Sequence, residues 1–356
     1  LRIGKFFINC KNKKSKLGGS MNKSLQSTFI LVAFYLISNM PLLSQMLNYT
    51  MTTVGRHNDE VLAVFVNEAN TMFATGSLDE TIKLWSLPDG KELNTLKGHL
   101  GAVYNVSFSG NDKLLASGSE DMTVRIWDVA TGKELKVLRG HLGPVIGVYF
   151  SQDDNSALVA STSFDKTVKL WDVASGTEVK TLRGHTEATN NVAYSYDGKT
   201  IASCSDDSTI RIWSTDLHTT APLMILRGHH APVLTVLYSF DSKKLASSDA
   251  DGMVIIWDAK TGEILRKFKA HNDITQDVAF AADNKTLVTG SLDHHVKLWD
   301  TDGPNLLMDM DLGVGVWSVD LVSDASIITV ACDDGTVRLL KRNDNTKPVK
   351  TKKGRK

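Results

Sequence analysis

Six histidines and six tryptophans recur along this chain in fixed phase. His57, His99, His141, His185, His229 and His271 are separated by 42, 42, 44, 44 and 42 residues. Trp85, Trp127, Trp171, Trp213, Trp257 and Trp299 follow them after 28 residues, or 30 in the third case. A phase held through so many copies restricts the chain to an array of one supersecondary unit, each copy burying the face its neighbour would otherwise leave open. At 356 residues the chain has room for seven such units in one body.

Within a copy the pattern is that of short strands. In the second, Val103–Phe108 and the segments 114–117, 123–127 and 134–138 alternate apolar and polar residues or are rich in β-branched ones, as strands are. Between them lie turn formers: Gly110-Asn111-Asp112, Glu120-Asp121 and Thr131-Gly132. Equivalent turns stand at Asp89-Gly90, Ser175-Gly176, Asp197-Gly198, Thr261-Gly262 and Asp302-Gly303, sequences that tolerate positive backbone angles. Each copy therefore predicts a four-stranded antiparallel meander, and the chain an all-β fold.

Composition excludes some classes of function. Cys10, Cys204 and Cys332 fit neither a disulfide framework nor a zinc spacing, and read as small core residues. The formal charge of zero conceals basic ends and an acidic middle. Residues 1–27 carry seven basic side chains and no acid, residues 341–356 carry eight against one, and the body between has 25 basic against 39 acidic. An acidic body argues against binding a nucleic-acid backbone. The tail 342–356 reads as a basic disordered end.

The first 45 residues are expected to lie outside the array. From Met21 the order is a basic region at Lys23, the apolar run 28–37 (TFILVAFYLI), then Pro41 and Ser44, the layout of a secretory signal peptide over 21–45. On this reading residues 1–20 are an upstream segment and the mature chain is exported, to a periplasm or the cell exterior. A start at Met46 or Met51 would instead leave the protein cytoplasmic. The apolar run is shorter than the roughly 20 residues that span a bilayer, so no membrane span is expected in the mature chain.

The pairs Gly98-His99, Gly140-His141, Gly184-His185 and Gly228-His229, in phase with Trp127-Asp128, Trp171-Asp172, Trp257-Asp258 and Trp299-Asp300, give the chain a close resemblance to the WD40-repeat family over about residues 48–341, within a domain expected over 46–341. The resemblance implies a seven-bladed β-propeller of four-stranded antiparallel blades around a central channel, with blades starting near 57, 99, 141, 185, 229, 271 and 312. It also implies a role as a binding platform rather than as an enzyme, with no cofactor and no metal.

Six positions before each Trp stands an acid, Asp79, Asp121, Asp165, Asp207, Asp251 or Asp293, and four before that a hydroxyl, Thr75, Ser117, Ser161, Ser203, Ser247 or Thr289. The resemblance implies that indole, hydroxyl, imidazole and carboxylate form one hydrogen-bonded relay per blade. Ser, His and Asp also compose hydrolase triads, but six such sets each tied to a Trp are fold residues. No Gly-x-Ser-x-Gly elbow, phosphate loop or paired-cysteine site accompanies them, and the adjacent His294 and His295 read as solvated residues of a loop.

In the seventh unit Leu312, Val330 and Leu340 stand where His, hydroxyl and Trp are expected, while Asp334 keeps the turn acid. Replacing both sides of a buried polar pair by apolar groups is close to neutral, so this blade is expected to pack. It has no fourth strand of its own, and 48–54 (NYTMTTV) belongs to no earlier blade. That segment is expected to pair with the seventh blade and close the ring, removing an open sheet edge.

The resemblance places partner contacts at the third and fifth residues after each His and at the residue before each turn Asp. These are Glu60, Leu62, Leu78; Ala102, Tyr104, Glu120; Pro144, Ile146, Phe164; Ala188, Asn190, Asp206; Pro232, Leu234, Ala250; Ile274, Gln276, Leu292; and Gly315, Trp317, Asp333. The large apolar members, rimmed by Glu60, Glu120, Asp206 and Asp333, predict a site for a protein or peptide with apolar anchors and basic flanks, or else a plug of the channel mouth. A propeller enzyme would need acids or metal ligands converging from the innermost strands, which carry mainly Val, Phe, Tyr and Ser. A ubiquitin-ligase substrate adaptor would need an Arg soon after a Trp-Asp pair, where Val129, Ala130, Val173, Ala174 and Lys260 stand.

Overall fold

The computed structural model describes residues 47–151, 157–303 and 305–343. Its regular elements are 28 strands in seven four-stranded antiparallel sheets. The first sheet runs outward from the axis as β2 (Val61–Val66), β3 (Met72–Ser77), β4 (Thr81–Ser86) and β5 (Glu92–Lys97). Five further meanders, β6 to β25, repeat it over 103–311, with innermost strands β6 (Val103–Phe108), β10 (Val145–Phe150), β14 (Thr189–Tyr194), β18 (Val233–Tyr238) and β22 (Thr275–Phe280). The innermost strands of successive sheets pack on one another all the way round, and that of the last sheet, β26 (Val316–Leu321), packs on β2. The ring is a seven-bladed β-propeller.

Closure is made by the segment singled out from the sequence. β1 (Tyr49–Arg56) is the outermost strand of the seventh sheet, antiparallel to β28 (Thr336–Arg342), whose other neighbour is β27 (Ile327–Cys332). The strand extends two residues past the predicted end at Val54, and β28 continues through Arg342, so the tail expected from 342 starts beyond it. The signal-peptide segment 21–45 and the rest of the tail lie outside the described residues.

The core lies between blades. Second strands such as β7 (Leu114–Ser119), sequence LLASGS, are buried at every residue after the first. Small side chains there let neighbouring sheets approach: a Cβ on Gly118 would stand 2.8 Å from Val145 Cγ1 of the next blade. The Gly of the Gly-His pair has the same logic at the rim, because a Cβ on Gly228 would meet the Trp257 ring at 2.8 Å. Trp85, Trp127, Trp171, Trp213 and Trp257 are among the most completely buried large side chains, so each indole fills the gap between sheets.

One regularity went unread in the sequence. Every innermost strand carries a register shift one residue after its start, at Val61/Ala63, Val103/Asn105, Val145/Gly147, Thr189/Asn191, Val233/Thr235, Thr275/Asp277 and Val316/Ser318. A bulge leaves one residue unpaired and re-aims its side chain. Here the unpaired residues are Leu62, Tyr104, Ile146, Asn190, Leu234, Gln276 and Trp317, one per blade.

Candidate functional site: a structural relay and a channel mouth

In six blades the indole donates to a hydroxyl, the hydroxyl meets His Nε2, and His Nδ1 meets a carboxylate. In blade three Trp171 Nε1 lies 2.8 Å from Ser161 Oγ, Ser161 Oγ 2.7 Å from His141 Nε2, and His141 Nδ1 2.8 Å from Asp165. Blades one, two, four and six repeat it: Trp85–Thr75–His57–Asp79, Trp127–Ser117–His99–Asp121, Trp213–Ser203–His185–Asp207 and Trp299–Thr289–His271–Asp293. An indole N–H only donates, so the hydroxyl proton goes to Nε2 and the Nδ1 proton to the carboxylate, leaving no buried donor of the relay unmatched. The hydroxyls are wholly buried, which removes them from any substrate and makes the relay cohesive.

Burial alone would raise the carboxyl of Asp165, but hydrogen bonds from His141, Thr167 and the Leu142 N–H hold it well below the usual range. Asp79, Asp121 and Asp207 are lowered in the same way. His271 is pushed down to about 4, chiefly by burial, against the opposing pull of Asp293. The imidazole is therefore neutral beside an ionised carboxylate, consistent with the proton placement above.

Blade five corrects the sequence reading. His229 Nδ1 lies 2.6 Å from Asp249, not Asp251, while Trp257–Ser247–His229 is as expected. In the other relay blades the position of Asp249 is a serine whose Oγ accepts from the turn Asp N–H, as Ser163 does for Asp165. Asp249 does both jobs, since its Oδ1 takes the N–H groups of Asp251 and Met253, and the Asp251 side chain is exposed. The readable signals were Asp249 in place of Ser and Met253 in place of the Thr that donates to the turn Asp in blades one to four. In blade seven Leu312, Val330 and Leu340 are buried, and Asp334 accepts from the Thr336 N–H at 2.9 Å. His295 is also not in a loop: it opens β24 (His295–Asp300) with Nδ1 2.6 Å from Asp309.

The bulge residues meet at one mouth of the axial channel. Leu62, Tyr104, Ile146, Leu234 and Trp317, with Leu78, Glu60, Asn190 and Gln276, line a cavity of about 380 Å³. Its floor is a waist formed by the next residue of several strands, including Asn105, Asn191, Thr235, Asp277 and Ser318. Trp317 Nε1 donates to Glu60 at 2.8 Å, joining blade seven to blade one across the mouth. Asn190 Nδ2 donates to Asp206 at 2.7 Å.

The remaining predicted contacts do not line this cavity. Ile274 and Leu292 are half-buried, Glu120, Asp206 and Asp333 are exposed, and Phe164 is 52% exposed beside Leu142, which is 86% exposed. The innermost strands do carry mainly Val, Phe, Tyr and Ser, but two acids stand among them, and Asp277 of β22 and Asp320 of β26 face the channel. Both stand in plain alternation with their neighbours, but without the bulge their side cannot be assigned.

A relay-bearing propeller with a bulge-lined mouth defines a class, and the chain belongs to the WD40 family: residues 48–86, 90–128, 132–172, 176–214, 220–258 and 262–300 match the family described as "WD domain, G-beta repeat". Each match takes an outermost strand and the three inner strands of the next blade, so the sequence repeat straddles two sheets. The matches stop before the blade that lacks the relay. The WD40 β-propeller domain of Doa1 is similar in structure, with a TM-score of 0.74 at 26% identity over 84% of this chain and 98% of that one. Dynein assembly factor with WD repeat domains 1 of Homo sapiens is 39% identical over 61 residues, 17% of this chain and 15% of the relative. Protein tipD of Dictyostelium discoideum is 35% identical over 57 residues, 16% of this chain and 9% of the relative. The chain thus aligns with only a small part of those two proteins.

Proposed function

We propose that the protein is a non-enzymatic scaffold that seats a peptide or protein at the bulge-lined mouth. The observation that carries this reading is the cavity itself, in which Leu62, Leu78, Tyr104, Ile146, Leu234 and Trp317 converge around about 380 Å³. An aromatic or aliphatic anchor of the partner fills such a hollow, and Trp and Tyr are common energetic centres of interfaces. The exposed acids Glu120, Asp206 and Asp333, on a body with an excess of acids, favour a partner with basic residues beside its anchor. The dynein assembly factor and Doa1 similarities support the class of role without naming a partner.

The test is affinity capture from the native cell with the whole chain and with a Tyr104→Ser, Trp317→Ser double variant whose melting curve is checked first. Proteins captured by the wild type and lost from a folded double variant support the site. Equal capture by both sinks it. N-terminal sequencing of the native protein tests the export reading, which expects a chain starting near residue 46.

A further inference from the structure

We propose that the opposite, narrow end of the channel is a separate binding site for one organic cation of side-chain size, an ammonium or a guanidinium. This site lies beyond the waist from the peptide mouth and does not rest on that assignment. It is a cavity of about 120 Å³, large enough for a head group and too small for a peptide backbone.

Its wall is aromatic. Phe65 of β2 meets Tyr149 of β10 edge to face with centroids 5.7 Å apart, and Tyr196 stacks on Phe240 at 4.6 Å. Into the same space face the carboxylates of Asp320 and Asp277, with Glu68 at the exposed rim. Asp320 is held by the N–H groups of Val66 and Leu321, both at 2.8 Å, and Asp277 by Ser318 Oγ at 2.7 Å and the Val319 N–H at 3.2 Å. These bonds fix the carboxylates in place without neutralising them, and among the described residues neither has an ion pair.

Two acids in a confined, dehydrated space without a counter-ion hold their protons or take up a cation, and a cation bound between them displaces the proton. Desolvation pushes Asp277 up to about 6 and Asp320 up to about 7, with Asp277 and Glu68 adding to the latter. The aromatic rings that line the cavity select the kind of cation. A ring quadrupole attracts a weakly hydrated organic cation, whereas calcium or magnesium needs about six oxygens around it. Among the described residues no three His, Cys, Asp or Glu side chains converge in that way.

The experiment is calorimetric titration of the full chain with tetramethylammonium, N-acetyl-lysine methylamide and N-acetyl-arginine methylamide, against the neutral N-acetyl-norleucine methylamide. A cationic probe is expected to saturate the protein and the neutral one not to bind; which cation binds best separates an ammonium from a guanidinium source. Affinity should rise between pH 6 and pH 8 as Asp320 of β26 and Asp277 of β22 ionise; Glu68 of the turn after β2, at the rim, is raised by burial and by Asp112, while Tyr149 of β10, Tyr196 beyond β14 and Tyr238 of β18 stay neutral. Asp320→Asn and Tyr149→Leu should each weaken binding about tenfold, whereas Asp251→Ala, which removes an acid elsewhere, should not. Should either variant fail to fold, ring-proton shifts of Tyr149 and Tyr196 in the wild type on titration take its place, and their absence contradicts the site. Equal binding of the neutral probe, no binding of any cation, or unchanged affinity in Asp320→Asn would overturn it.

Discussion

His229 donates its Nδ1 proton to Asp249 across 2.6 Å, and the acid in register with the other blades, Asp251, is left on the surface. Asp249 is 1% exposed, so Asp249→Ala strands a buried imidazole N–H and two backbone N–H groups at once. The expected cost is about 2–4 kcal/mol, against less than about 0.5 kcal/mol for Asp251→Ala. Urea unfolding of the two variants checks the difference, and equal midpoints would contradict it.

The seventh blade makes the complementary case. Val330 is buried among Leu312 and Leu340 where other blades hold the relay. Val330→Ser introduces a hydroxyl with neither an indole to receive from nor an imidazole to donate to, and is expected to destabilise by about 1–3 kcal/mol. A thermal melt that does not move would show that the site hydrates or rearranges.

Removal of β1 by deleting 49–56 leaves β28 as an open edge, takes away the strand paired with Leu340, and removes Tyr49 from the core of the seventh blade. The melting temperature is expected to fall by more than about 5 °C, and the product to associate through the exposed strand. A monomer with the parental melting curve would mean that the ring is held by β26 against β2 alone.

Stability should vary with pH in two opposite ways. Asp165 and its counterparts are lowered in the fold, so their contribution is present above the ordinary carboxylate range and is lost as pH falls below about 4. His271, lowered to about 4, loses its contribution as pH falls from about 6.5 toward that value. Asp320 is raised to about 7, so its ionisation penalty is absent below pH 4 and complete above pH 7. Asp320→Asn should therefore gain stability relative to the wild type between pH 5 and pH 8. Urea midpoints of both proteins at the two pH values check the sign, and a gap that does not widen would contradict it.

What could be read in advance was whatever the repeat enforces. The phase of His57 and Trp85 and their successors marks six of the seven blades and their strand order, and the relays that the resemblance implied stand as expected in five of those six, where every member is paired in order to be buried. The orphan segment at Tyr49 and the apolar set Leu312, Val330 and Leu340 marked the closing blade by what they lacked. Asp249 was missed because one carboxylate there replaces a serine and an aspartate together, a substitution that preserves the hydrogen bonds and not the spacing. The channel was missed for a different reason. A single bulge after Val61, Val103 and their equivalents changes which face each later residue occupies, so Asp277, Asp320, Tyr149 and Phe65 could not be assigned to the channel by alternation alone.

The central claim is a division of labour between a buried relay that holds the blades and a mouth that recognises a partner. The direct measurement sets Ser161→Ala beside the Tyr104→Ser, Trp317→Ser double variant and determines, for each, the unfolding free energy and the affinity of the folded fraction for a captured partner. The relay variant should lose about 1–3 kcal/mol of stability and keep its affinity, while the mouth variant, which gives up the Trp317–Glu60 bond, should stay folded with a loss of about 1 kcal/mol and lose its affinity. A relay variant that stays stable yet no longer binds would contradict the account.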